Sequence, residues 1–297
     1  MTETPIEESY GIESVSPSLH LGAVTAIRST WLGPLWAAVC GLIASAAFRF
    51  DGPNVLIAAL LFIVADWAWP ALWTTLVRTD WLAPFARWRA VPTAEGVPRL
   101  PYIQPGSPGD RLLKWLAHLD AWRRSVLAPL AGSSGLSACV ALSIALVLSA
   151  VIGWRALALT LAALALSSLG TLRALRTGVD SDELRSIVYG TLPWWLGHAA
   201  FAPLTAASAG MGLLFGLAYS GLMAAGPRAP RSIALIAPQL VAALVLFTGG
   251  QPLAAFIVGV SIAAQAALRT FLLEHAFARR AQVWLMATML AAAIAVT

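Results

Sequence analysis

Apolar stretches separated by brief polar punctuation run along almost the whole chain. Windows long enough to cross about 30 Å of hydrocarbon fall near 32–50, 54–78, 134–153, 155–173, 187–205, 208–225, 232–249, 252–270 and 281–297. None shows the period-two alternation of a strand, and in hydrocarbon a helix satisfies its own backbone hydrogen bonds. The pattern therefore predicts an all-α, polytopic membrane bundle of about nine transmembrane helices. Turn signals separate them: "FDGPN" at 50–54, "GW" at 153–154, "AGPRAP" at 225–230 and "GGQP" at 249–252. Several windows are short or carry Pro and Gly, notably 187–205 with Pro193 and Pro203, which leaves a count of eight or nine.

Charge decides between the two counts. With nine helices and a cytoplasmic N-terminus, all of the 19 lysines and arginines except Arg49 and Arg155 fall on the cytoplasmic side. Such a split follows the positive-inside bias, and losing one helix from the middle would scramble it. The nine-helix model with its N-terminus inside is the reading adopted. It divides the chain into an acidic N-terminal segment, 1–31, and one transmembrane helical domain, 32–297, held in the inner (cytoplasmic or photosynthetic) membrane.

Composition agrees. The chain is 59% hydrophobic and 11% charged, has a mean hydropathy of +0.77 and carries 13 tryptophans in 297 residues. So little polar surface cannot cover a soluble globule. A net charge of +5 is explained by facing anionic lipid and needs no nucleic-acid partner. Cys40 and Cys139 both lie in apolar runs, where a thiol behaves as a small hydrophobe. The first thirty residues lack a basic region before an apolar core, so they do not read as a cleaved signal peptide.

One long connection, 79–133, interrupts the bundle. Its first half is rich in Pro and Gly. Its second, "DRLLKWLAHLDAWRRSVLAPL" from Asp110 to Leu130, places Leu112, Leu113, Trp115, Leu116, Leu119 and Trp122 largely on one helical face. Arg111, Lys114, Asp120, Arg123 and Arg124 occupy the other. That predicts an amphipathic helix, either lying in the membrane interface or lidding a cavity open to the cytoplasm.

Three segments then resemble a known family. "STWLGPLWAAVCGLIAS" (Ser29 to Ser45), "GTLPWWLGHAAFA" (Gly190 to Ala202) and "APQLVAALVLFTGGQPLAAFIVGVSIAAQAALRTFL" (Ala237 to Leu272) are similar, in order, to helices of the chlorophyll and bacteriochlorophyll synthases. Those synthases belong to the UbiA superfamily of intramembrane prenyltransferases. The resemblance implies a nine-helix fold and transfer of a prenyl group from a diphosphate. Two Asp-rich loops would hold magnesium against that diphosphate, since Mg²⁺ takes hard oxygen ligands and the leaving group's charge must be neutralised.

The residues depart from that pattern where it matters. A first loop such as "NDWFDRHVD" corresponds here to "TDWLAPFAR", Thr79 to Arg87. Asp80 and Trp81 match, but Ala83 and Arg87 stand where carboxylates are expected. The second loop corresponds to "AAGPRAPRS", Ala224 to Ser232, which contains no acid. "VDSDE", 179–183, supplies Asp180, Asp182 and Glu183 on the same side, but beside Arg173, Arg176 and Arg185 these acids read as a self-paired loop. Asp80, Asp180 and Asp182 would ligate Mg²⁺ only in an enzyme with rearranged ligands.

Two polar residues stand out inside the apolar windows. Asp66, mid-helix in "IVADWAWPALW", is costly in hydrocarbon and must face a polar cavity or a partner. His198 is a neutral imidazole able to ligate the magnesium of a chlorin or a haem iron, or to sit hydrogen-bonded in the interior. Trp69, Trp73, Trp81, Trp194 and Trp195 would line an aromatic chamber for pigment or isoprenoid, or anchor helix ends at the interface.

The leading functional expectation is a divergent, non-catalytic UbiA-like protein. It would bind a prenylated pigment, quinone or lipid, or serve as an accessory subunit of a photosynthetic membrane complex. An active prenyltransferase, a transporter with Asp66 at its substrate site, and a purely structural subunit are the alternatives.

Overall fold

A computed structural model of the chain describes residues 33–79, 81–86, 88, 91, 104–179, 181–223, 232–272 and 274–297. Among them there are helices and turns and no strand. We number the helices α1 (Pro34–Ala44), α2 (52–78), α3 (Ala83–Ala86), α4 (108–152), α5 (Trp154–Thr177) and α6 (182–199). They continue with α7 (Ala206–Met223), α8 (Ser232–Thr248), α9 (Pro252–Phe271) and α10 (Glu274–Ala295).

Local chemistry sets several of these boundaries. Asp51 accepts from the backbone N–H of Asn54 (2.9 Å) and caps α2, with Gly52 and Pro53 opening the helix where no intrahelical donor is needed. Gly153, at φ 141°, breaks the chain between α4 and α5 in a conformation that a Cβ would strain. Ser181 caps α6 through the N–H of Leu184.

Among the described residues, four segments are long and apolar enough to cross a membrane: Gly52–Val77, Trp154–Thr177, Ala206–Met223 and Pro252–Phe271. Pro34–Ala44, Leu136–Ile152 and Ile233–Thr248 are shorter apolar helices. The protein is a membrane-embedded helical bundle. Its outward positions are large and apolar, such as Val147, Leu161, Leu244 and Phe256, whereas Ala, Gly and Ser line many of the helix contacts. Lipid and bundle interior are equally greasy, so close backbone approach and dispersion hold the helices together.

The helices contact one another in a ring. The pairs α1–α6, α6–α7, α7–α8, α8–α9 and α9–α10 follow in turn, and α10 closes back on α1. A second group, α2, α4 and α5, packs on the other flank of α6. The α1–α6 seam is the tightest. A Cβ on Gly41 would overlap the Trp194 carbonyl oxygen and lie 2.7 Å from its carbon, and one on Gly197 would overlap the Ala38 oxygen.

Three features differ from the sequence expectation. The first window's helix ends at Ala44, followed by a turn and irregular residues that bring Phe48 against Phe201. The amphipathic helix and the window at 134–153 form one helical run, 108–152, because two π turns (Arg123–Leu127 and Ala131–Gly135) carry the backbone hydrogen bonding through "AGSSG". The window at 187–205 shifts to 182–199. There Pro193 falls just after a π turn, Ile187–Thr191, and Pro203 lies beyond the helix. Residues 1–32, most of 89–103 and 224–231 lie outside the described residues.

A buried amide pair ties α8 to α9. Gln239 and Gln265 exchange hydrogen bonds, each Nε2 donating to the other's Oε1 at 3.0 Å, with both side chains sealed from solvent. Removing either partner strands an amide in the bundle, so Gln239→Leu and Gln265→Leu should each cost about 1–3 kcal/mol. The double variant should cost less than the sum by about 0.6–1.7 kcal/mol. Thermal unfolding of the four proteins in detergent measures this coupling; strict additivity would show the pair to be uncoupled.

Candidate functional site

Asp66 sits on a π turn, Val64–Ala68, in the middle of α2. Its Oδ1 accepts from the backbone N–H of Leu35 at 3.3 Å. The carboxylate therefore meets the N-terminus of α1, where free donors and the helix dipole favour a negative charge. Gly33 passes so close that a Cβ there would lie 3.2 Å from the same oxygen. The partner of this intramembrane acid is thus a helix start, 31 residues away in sequence.

The tryptophans divide between two places. Trp69 and Trp73 are sealed between α2 and the α4–α5 pair: Trp69 Nε1 donates to Thr160 Oγ1 (3.3 Å), and Thr160 in turn bonds Ser149 (2.6 Å). Trp73 lies over Gly170, where a Cβ would come within 2.8 Å of its ring. Trp194 and Trp195 face α7. Trp194 Nε1 donates to Ser208 (3.0 Å) and its ring stacks on Phe215, while Trp195 Nε1 donates to the Ala209 carbonyl (3.0 Å). Trp81 is half-buried beyond the end of α2, with Nε1 donating to the Leu76 carbonyl at 2.9 Å.

His198 is buried near the end of α6. Its Nε2 is 3.0 Å from the Pro203 carbonyl oxygen, which can only accept, so Nε2 carries a proton and in the neutral ring Nδ1 keeps the lone pair. Nδ1 has no hydrogen-bond partner among the described residues; the same holds for the buried Trp73 Nε1, Thr191 Oγ1 and Gln282 Nε2.

On the acidic loop, Asp182 accepts from Arg185 (2.7 Å), and Glu183 accepts from Ser181 (3.0 Å) and faces Arg173 (3.8 Å). Asp80 and Asp180 lie outside the described residues. Among the described residues, no three His, Cys, Asp or Glu side chains come together in a group able to hold a metal ion.

Sequence reasoning missed a second aromatic cluster. Trp122 Nε1 donates to the Pro84 carbonyl (2.7 Å), and His118 bonds the Trp88 carbonyl (2.8 Å) while meeting its indole edge-on at 4.5 Å. These contacts fasten α3 and Trp88 to the first turns of α4. The unusual density of aromatics at 81–88 and 115–122 was the signal available for it.

Fold and site together define a polytopic helical membrane protein whose interior holds hydrogen-bonded tryptophans and a buried imidazole, with the exposed Asp66 carboxylate at the start of α1. Compared with known proteins, the chain is 32% identical over 195 residues, 65% of its length, to the bacteriochlorophyll synthase 34 kDa chain of Chloroflexus aurantiacus. It spans about half, 54%, of the length of that curated relative. No family model and no solved structure matches it.

Proposed function

We propose that this chain is a divergent, non-catalytic protein of the UbiA type, related to the chlorophyll synthases, with nine transmembrane helices and a cytoplasmic N-terminus. It binds a prenylated pigment, quinone or lipid within an inner membrane, or serves there as an accessory or assembly subunit of a photosynthetic membrane complex. The observation that carries this reading is the similarity to a bacteriochlorophyll synthase chain in a sequence that keeps Asp80-Trp81 but has Ala83 and Arg87 in the first loop and no acid in 224–232. Magnesium takes hard oxygen ligands, and the family pattern supplies them from two Asp-rich loops that these residues do not reproduce. The pairing of Asp182 with Arg185 also favours a structural over a ligating role for that acid.

The ligand would be lipophilic and would carry hydrogen-bond acceptors. The buried donors Trp73 Nε1 and Gln282 Nε2 suit carbonyl or ester oxygens, and a chlorin metal would be met by His198 Nδ1. Asp66 and the indoles of Trp69, Trp81, Trp194 and Trp195 complete the set of candidate residues.

Purified protein should carry a chromophore or isoprenoid detectable by absorbance and mass spectrometry. It should show no turnover of geranylgeranyl or phytyl diphosphate with a chlorophyllide acceptor, with or without magnesium. Magnesium-dependent prenyl transfer abolished by Asp80→Ala would establish the alternative, an active enzyme with rearranged ligands. A preparation holding bilayer lipid alone would remove the pigment reading.

A further inference from the structure

The amphipathic opening of α4, Pro108–Trp122, is engaged at its end and open at its start. The engaged end seats His118 and Trp122 on Trp88 and Pro84. The open start presents Leu112, Trp115 and Leu116, which are 57%, 52% and 44% exposed. Spacings of three and four residues place them in a single stripe.

Basic residues border that stripe. Arg111 and Lys114 lie beside it along one edge and are exposed, and Arg123 and Arg124 follow at its end. The acids nearby are already neutralised. Asp110 pairs with Lys114 at 2.8 Å. Asp120 is bonded by Arg124 and by Arg123, and the Arg124 bond above all holds its carboxyl below the usual carboxylate range. The segment thus carries a surplus of positive charge around an apolar ridge centred on an indole.

We propose that this stripe docks on the anionic headgroup layer of the bilayer that holds the bundle, on the face carrying the 79–133 connection. Trp and Leu between Lys and Arg are the composition of an interfacial helix, whereas the core of a protein–protein interface is depleted in Lys. The helix also runs without a break into the apolar segment Leu136–Ile152. Between the two lie both π turns and Pro129, the features at which a helix axis turns. A helix leaving the membrane core can bend there and lay its apolar ridge among the headgroups. This surface does not depend on which ligand the bundle binds, and the two readings fail separately.

Nitroxide scanning of the full-length protein tests it. With Cys139→Ala removing the exposed thiol and the buried Cys40 retained, single cysteines are introduced at each of positions 111–119 and labelled. The proteins are placed in bilayers of phosphatidylcholine alone or mixed with phosphatidylglycerol. In the anionic bilayers, labels at 112, 115, 116 and 119 should be several-fold more accessible to oxygen than to an aqueous nickel chelate. Labels at 111 and 114 should show the reverse. Immersion should weaken in phosphatidylcholine alone and at high salt. Removing Arg111 or Lys114 by substitution with Gln should lower it about fivefold each, the equivalent of about 1 kcal/mol per basic residue near an anionic surface. Uniform aqueous exposure would overturn the proposal. So would labels shielded from both reagents, the mark of a protein partner, and so would immersion indifferent to lipid charge.

Discussion

Gly197→Leu is expected to abolish the folded bundle, while Gly259→Ala, in another helix of the same protein, is expected to leave it intact or strengthen it slightly. At Gly197 any side chain must enter the backbone of α1: its Cβ would overlap the Ala38 oxygen and come within 2.9 Å of the Leu42 nitrogen. Gly41 repeats the problem from the other side against Trp194. No rotamer relieves a clash with main-chain atoms, so α1 and α6 must separate, opening the ring of helices that runs from α1 through α6 to α10. Overpacking against movable side chains costs about 1–3 kcal/mol; against two rigid backbones the cost lies at or above the top of that range. Gly197→Ala should therefore lower the unfolding temperature in detergent, and Gly197→Leu should give no monodisperse protein. Among the described residues, nothing lies within 4 Å of a Cβ added at Gly210 or Gly259. An alanine there should gain up to about 1 kcal/mol from helix propensity. Equal tolerance at all four glycines would mean that the α1–α6 approach is looser than described.

The contrast between these glycines shows where the sequence stops being legible. Apolar windows could be read because a crossing of hydrocarbon imposes length and polarity, and several helices, such as Trp154–Thr177, Ala206–Met223 and Pro252–Phe271, follow those windows closely. Which face of a helix packs could not be read, since membrane helices are apolar on both the lipid side and the bundle side. Gly197 and Gly259 look alike in sequence and differ only in what lies opposite. The tryptophans were ambiguous for a related reason. An indole suits both a buried contact and a membrane interface, and the chain uses both: Trp69, Trp73 and Trp194 are sealed inside, while Trp115 and Trp154 are exposed. Asp66 announced itself by its cost, but its partner, the start of α1, is not encoded by any local period. The fusion of the amphipathic segment with Leu136–Ile152 was hidden because "AGSSG" reads as a break, whereas a π turn carries the helix through it.

Trp194 separates a structural from a ligand-binding use of these indoles. It is fully buried, stacked on Phe215 at 6.0 Å, bonded to Ser208 and closed in by Gly212, where a Cβ would lie 2.9 Å from the indole. Truncation to alanine leaves a large void that the rigid α1–α6–α7 junction cannot close. Trp194→Ala should cost about 3–5 kcal/mol, a large share of the roughly 5–15 kcal/mol that holds an ordinary domain folded. Trp194→Phe keeps most of the volume and strands only the Ser208 hydroxyl, so its cost should be nearer 1–2 kcal/mol. Adding Ser208→Ala should recover part of that. The measurements are thermal unfolding in detergent and the amount of co-purified ligand per folded protein. If Trp194 packs the junction, stability falls in the order wild type, Phe, Ala, and the ligand content of the surviving folded Phe variant is unchanged. If instead Trp194 forms the wall of a pigment chamber, Trp194→Ala remains folded with the ligand lost, because the ligand's site is enlarged without removing a support of the bundle. That second result would move Trp194 from the packing of α6 against α7 into the binding site itself.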